Sequence, residues 1–213
     1  MLTVHHLGKS QSERIVWLCE ELGIPYELQI HTRDAVTMLS PPSLKAVSPT
    51  GSAPVITEGD VVLAESGAIV DYIIAKHGSG RLTLGPSHPD FAHYLYWLHF
   101  SNGTLQPAMG RCMILGRLNL PADNPMLVAM QGRLARALGL VEERLGKATY
   151  LAGSEFTAAD IMMVFSLTTM RLFNPLDLSP YPNILAYLQR IAARPGYQRA
   201  MAKGDPGLVP LLT

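Results

Sequence analysis

HHLGKSQSERIVWLCEELGIPYEL, residues 5–28, is the stretch whose reading decides the fold. Leu2 and Val4, running on to His6, make a short strand. Ser12 then precedes Ile15, Trp17, Leu18 and Leu22, a helical spacing that Gly23 and Pro25 bring to an end. Tyr26 to Ile30 makes a second strand, and a weaker helical pattern covers Asp34 to Ala46, so the chain opens β-α-β-α. The segment GKSQSER at 8–14 lies between strand and helix, where backbone N–H groups and the helix dipole favour an anion. The hydroxyls of Ser10 and Ser12 point the same way: a hydroxyl that donates to a thiolate stabilises the charged form and eases deprotonation. One of these serines is equally suited to capping the helix.

Further along, SPTGSAPVI at 48–56 enters a strand, Gly59-Asp60 turns it, and Val61–Leu63 returns as a hairpin. Ala64 to His77 carries Ile69, Val70, Ile73 and Ile74 at helical spacing. At its start, Glu65, Ser66 and Gly67 offer an acidic group, a hydroxyl and backbone donors, a set that can hold both ends of an amino-acid-like ligand. Pro54 is a candidate cis proline that leaves neighbouring backbone free to pair with an extended peptide.

Gly78 to Pro89 is the best boundary, and the pattern beyond it is helical at Tyr94–Phe100, Leu127–Leu145 and Ile184–Ala193. Thr157 caps a buried helix with Asp160 at its third position and Phe156 and Ile161 placed as a staple. An ordinary cap of this kind is worth about 0.5–2 kcal/mol.

The chain has 213 residues, enough for one or two small domains, and its 17 Lys+Arg balance 17 Asp+Glu. That balance removes the broad electrostatic case for nucleic acid or an anionic membrane as the main partner. Residues 1–86 hold 6 basic and 9 acidic groups and the remainder 11 and 8, a further hint of two units. Cys19 and Cys112 lie far apart in apolar surroundings, and the histidines, His5 and His6 included, match no zinc spacing, so neither a disulfide scaffold nor a metal site is expected. The start shows no signal-peptide pattern and no run of apolar residues reaches membrane-spanning length, so a cytoplasmic protein is the expectation. The sequence contains no P-loop, dinucleotide fingerprint or G-x-S-x-G elbow. In the second half, Trp97, Met109, Cys112 and Met113 are candidates for an apolar substrate pocket, with Tyr94 and Arg111 as polar contacts, although residues of these types at helical spacing also fill cores.

Taken in order, the 5–28 stretch, GSAPVI at 51–56, ESGAIVDYI at 65–73 and FTAADI at 156–161 resemble the cytosolic glutathione transferases, in a serine-type bacterial or theta-like branch. The resemblance covers residues 1–205. It implies an α/β thioredoxin-like N-terminal domain over 1–80, binding glutathione, and an all-α C-terminal domain over 88–213 that forms much of the electrophile pocket, usually in a homodimer. By the same likeness Ser10 is the catalytic serine and Ser12 its assistant or the helix cap. Pro54 is the cis proline, Ala53 pairs through its backbone with the cysteinyl part of glutathione, and Glu65 and Ser66 hold the γ-glutamyl end. Where the family commonly has Lys or Arg this chain has Ser52, which leaves Lys45 or a backbone donor to hold the glycyl carboxylate. The implied partners are glutathione as cosubstrate, without metal, and a small hydrophobic electrophile or hydroperoxide. The alternatives are glutathione-dependent peroxide or disulfide reduction, or glutathione binding without turnover.

Overall fold

Alternation along β1 (Thr3–Leu7) sends His5 and Leu7 to one face of a sheet and Val4 and His6 to the other. The computed structural model describes residues 1–213. Its sheet has the order β2-β1-β3-β4, with β2 (Glu27–His31) parallel to β1. β3 (Val55–Glu58) runs antiparallel to β1, and β4 (Val61–Ala64) antiparallel to β3. A parallel pair needs a crossover, and α1 (Glu13–Leu22) supplies it, burying Ile15, Val16, Leu18, Cys19 and Leu22. Gly23 ends α1 at φ +62°, a conformation that lacks steric cost only without a Cβ, and its N–H bonds to the Cys19 carbonyl. The hairpin turns at Gly59-Asp60 as expected, and α3 (Ser66–Lys76) follows β4.

The helix expected over Asp34–Ala46 contracts to α2 (Pro42–Lys45). One Asp34 oxygen accepts from the N–H groups of Val36 and Thr37 and from the Thr37 hydroxyl, a local turn that competes with helix. Pro41 and Pro42 carry no N–H to extend a helix through them.

Beyond the boundary the chain is helical: α4 (Phe91–Phe100), a π-helical turn at Ser101–Leu105, α5 (Gln106–Gly116), α6 (Pro125–Leu145), α7 (Ala158–Leu167) and α8 (Pro182–Ala192). Asn124 caps α6 by accepting from the N–H groups of Met126 and Leu127. Every residue of α7 is buried and its capping box of Thr157 and Asp160 is present. The chain forms two compact units, Met1–Thr83 with Ala192–Val209, and Leu84–Ile191 with Pro210–Thr213.

The division after Thr83 falls inside the expected boundary segment, but the last helix differs from the sequence expectation. α9 (Pro195–Gly204) is part of the first unit, not of a continuous 88–213 domain. The cause is its packing on α1. Trp17 meets Tyr197 edge-on at 5.0 Å, Arg194 holds both oxygens of Glu21 at 2.8 and 2.9 Å, and Arg199 and Lys203 converge on Glu20. No helix is long and apolar enough to cross a membrane.

Candidate active site

The register His5↔Val55↔Ala64 puts the end of β1, the start of β3 and the end of β4 at one end of the sheet. Three loops therefore emerge together: 8–12 after β1, 51–54 before β3, and 65–67 before α3. Leu7 ties two of them, since its side chain packs with Leu44, Val55 and Ala53 while its N–H donates to Ser12 Oγ at 3.0 Å.

The serine loop differs from an open anion cradle. The N–H groups of Glu13, Arg14 and Ile15 are already taken by the carbonyls of Ser10, Gln11 and Ser12. Ser12 makes no side-chain cap to α1, so the capping alternative does not hold. Its hydroxyl turns back into the sheet and lies 2.8 Å from Ser10 Oγ and 2.9 Å from His6 Nδ1, with the Leu7 carbonyl at 3.3 Å. Ser10 Oγ also accepts from the Ser12 N–H at 3.3 Å. What this loop offers a ligand is thus a polarised hydroxyl rather than a ring of amides.

Lys9 sits at φ +55°, a region uncommon for residues with a side chain, and its surroundings hold it there. Its N–H donates to Asp205 Oδ1 at 2.9 Å, and Arg33 donates to the carbonyls of Gly8 and Lys9.

At the third loop, Glu65 also has positive φ, +69°, and its side chain does not cap α3. Ser66 is buried, and its Oγ accepts from Arg14 at 3.3 Å; the same guanidinium nitrogen donates to Gln11 at 2.9 Å. The Ala53–Pro54 bond is cis. Lys45 lies beside the second loop, where a Cβ built on Gly51 would sit 3.8 Å from its Cγ, while Ser48, Thr50 and Ser52 bond among themselves. Ser10, Ser12, Ala53, Pro54, Glu65 and Ser66 are therefore gathered at one sheet end, with Lys45 at its margin.

The family model for the glutathione S-transferase N-terminal domain matches residues 6–83, and that for the C-terminal domain matches 91–195. Glutathione S-transferase 3 of Schizosaccharomyces pombe is 30% identical over 228 residues, spanning 100% of this chain and 92% of its own. The chain belongs to the glutathione transferase family. A crystal structure of a glutathione S-transferase from Actinobacillus pleuropneumoniae matches with TM-score 0.89 at 33% identity, covering 98% of this chain and 94% of that one. A glutathione transferase family member from Pseudomonas fluorescens, solved with two glutathione bound, matches with TM-score 0.75 at 25% identity, covering 94% and 92%. The transferase fold is thus the observed one, a mixed sheet with its helices in the first unit and helices alone in the second, and the family's cosubstrate is glutathione.

In the helical unit of this transferase the six pocket candidates do not surround one cavity. Tyr94, Trp97 and Met109 are buried, Trp97 with one edge on a cavity of about 500 Å³ beside Tyr96, Leu140 and Arg144, whereas Arg111, Cys112 and Met113 are accessible on α5. Cys112 lines a cavity of about 580 Å³ with Leu115, Leu127, Leu134 and Tyr181. Burial raises its thiol above the ordinary value.

Three site residues escaped the sequence reading. His6 stood among histidines without a metal-ligand spacing, Asp205 carried no assignment, and Arg14 was only the last residue of GKSQSER. The alternation of β1 was the one signal available for His6, since it separates that residue from His5.

Proposed function

We propose that this transferase binds glutathione at the shared sheet end and activates it at Ser10. The Ser10 hydroxyl donates to the thiolate sulfur, the Ala53 backbone pairs with the cysteinyl part, and Glu65 and Ser66 take the γ-glutamyl end. Lys45, whose Cγ lies 3.8 Å from where a Cβ on Gly51 would stand, takes the glycyl carboxylate. The observation that carries this reading is the Ser10 hydroxyl itself. It stands in the loop after β1, backed at 2.8 Å by a second hydroxyl that is not spent on capping.

The reaction is attack of the bound thiolate on an electrophilic atom of a small hydrophobic substrate. Because the nucleophile belongs to glutathione, no covalent intermediate with the protein is needed. Arg111, Cys112 and Met113 are the accessible candidates of the helical unit for holding that substrate. Cysteine-led redox chemistry finds no support, since position 10 is serine and burial, with Glu20 adding to it, pushes the Cys19 thiol up to about 12. The same reading takes in a homodimer, checked by the size of the protein in solution.

The test is steady-state conjugation of glutathione to a chloronitroaromatic across pH. A hydrogen bond to a charged group is worth about 1.5–3 kcal/mol, so Ser10→Ala lowers kcat/KM by about 10- to 100-fold. Equal rates for the folded variant and the parent reject Ser10. Hydroperoxide reduction that survives with little conjugation turns the assignment to a peroxidase.

A further inference from the structure

The hydroxyl pair at Ser10 and Ser12 continues inward to an imidazole and a carboxylate. Ser12 Oγ is 2.9 Å from His6 Nδ1, and His6 Nε2 is 3.3 Å from Asp205 Oδ2. Both Ser12 and His6 are fully buried, and Asp205 is 9% exposed. The Nε2 and Oδ2 atoms are close without hydrogen-bond alignment and neither has another hydrogen-bond partner, so the carboxylate acts on the ring as a neighbouring charge. Gly204 permits the approach, for a Cβ there would stand 3.1 Å from Nε2. Asp205 is itself fixed by the Lys9 N–H on its other oxygen.

Counting protons gives this line a direction. A hydroxyl donates once and accepts twice. With His6 neutral and its proton on Nε2 toward Asp205, Ser12 donates to Nδ1 and accepts from the Leu7 N–H and from Ser10. The Ser10 proton then points inward, and Ser10 can receive a hydrogen bond from a thiol but cannot donate one to a thiolate. With Nδ1 protonated the order reverses: His6 donates to Ser12, Ser12 to Ser10, and the Ser10 proton is free for the sulfur. From Ser10 to His6 Nδ1 every donor finds an acceptor in both states, so one state converts to the other by moving protons alone.

We propose that His6 receives the glutathione thiol proton through Ser10 and Ser12, with Asp205 as the counter-charge of the imidazolium so formed. The S–H bond breaks and a Ser10 O–H forms; the former Ser10 proton passes to Ser12, and the former Ser12 proton to His6 Nδ1. The electron pair stays on sulfur, and the products are a thiolate hydrogen-bonded by Ser10 and an imidazolium beside a carboxylate. His6 acts through the serines and is a positioning residue that also stores a proton. The charged and titratable groups around it are Asp205 after α9, His31 on β2, which feels His6 electrostatically, and Arg33, which is near Asp205 and opposes proton uptake. The inference rests on the reading of Ser10 as the thiolate's partner.

The experiment reads two quantities on the full-length protein as glutathione is added: thiolate, from its ultraviolet absorbance, and protons released to a weakly buffered indicator. S-Methylglutathione, which has no thiol proton, sets the baseline. The wild type is expected to form thiolate while releasing far less than one proton for each, because His6 keeps it. In His6→Asn the bound thiol is expected to ionise at least about one pH unit higher, a tenfold loss of thiolate below its pKa, with one proton released for each thiolate formed. A wild-type ratio of one overturns the relay, and needs no variant to fold. Ser10→Ala separates the two readings. If it leaves thiolate formation intact, the assignment of Ser10 fails. If it abolishes thiolate while His6→Asn matches the wild type in ionisation and proton release, only the relay fails.

Discussion

Arg14 shows how much one side chain can be asked to do at this site. Its guanidinium is fully buried, and that burial, opposed by Glu13, pushes it down to about 9. A buried charge of this kind persists only where hydrogen bonds hold it, and Gln11 and Ser66 are two of its acceptors. It therefore links the serine loop to the start of α3. Replacing it by methionine keeps volume but frees Ser66, and we expect KM for glutathione to rise about fivefold, the worth of roughly one hydrogen bond, with little change in kcat. Steady-state kinetics with varied glutathione checks the split, and a fall in kcat alone counts against the positioning role. Nothing in the residue's place in GKSQSER distinguishes it from a solvated helix residue, because burial here is imposed by α3, far along the chain.

At the scale of an element, α7 is the part most legible in the sequence, and also stronger than its local pattern suggests. Thr157 and Asp160 form the expected capping box, yet Asp160 also accepts from the Leu151 N–H and the Tyr187 hydroxyl at 3.0 and 3.1 Å. Asp160→Ala strands several buried donors at once, so its cost is about 2–5 kcal/mol, above that of an ordinary cap. Denaturant unfolding measures it.

Burial lifts the Asp160 carboxyl from 3.8 to about 6, against the pull of its hydrogen bonds from Leu151, Thr157 and Tyr187. The folded state thus binds this proton more tightly than the unfolded chain. The linked stability is complete below about pH 4 and is lost as pH rises through about 6. The melting-temperature advantage of the wild type over Asp160→Asn should accordingly shrink across that window, and a constant difference contradicts the linkage.

Across the whole molecule, the chain returns to its first unit at the end, and ion pairs with α1 accompany that return. Burial alone would raise the Glu20 carboxyl, but hydrogen bonds from Lys203, Tyr26 and Arg199 outweigh it and hold the group below its usual 4.5. A depressed carboxylate contributes stability above the unfolded value, and that contribution disappears as pH falls through the folded one. Acidification below 4.5 should therefore loosen α9 from α1 before the sheet unfolds. Trp17, which meets Tyr197 edge-on, reports the event by fluorescence once the second tryptophan is removed as Trp97→Phe. Glu20→Gln should abolish the acid step. Arg199→Ala should cost only about 0–1 kcal/mol, as its side chain is half exposed and Lys203 remains.

By itself the sequence determined the β-α-β opening and the hairpin and helix that follow it, the loop that carries Ser10 and Ser12, and the capping box of α7. Each depends on residues close together in the chain, through side-chain period, turn chemistry and capping. Tertiary structure alone decided that Ser12 turns from the helix to His6 and that Tyr94, Trp97 and Met109 are buried. It also decided that Asp205 reaches Lys9, 196 positions away. Local patterns show which face of an element is apolar, but not which distant element will cover it. The carboxylate behind His6 exists only because α9 is held on α1.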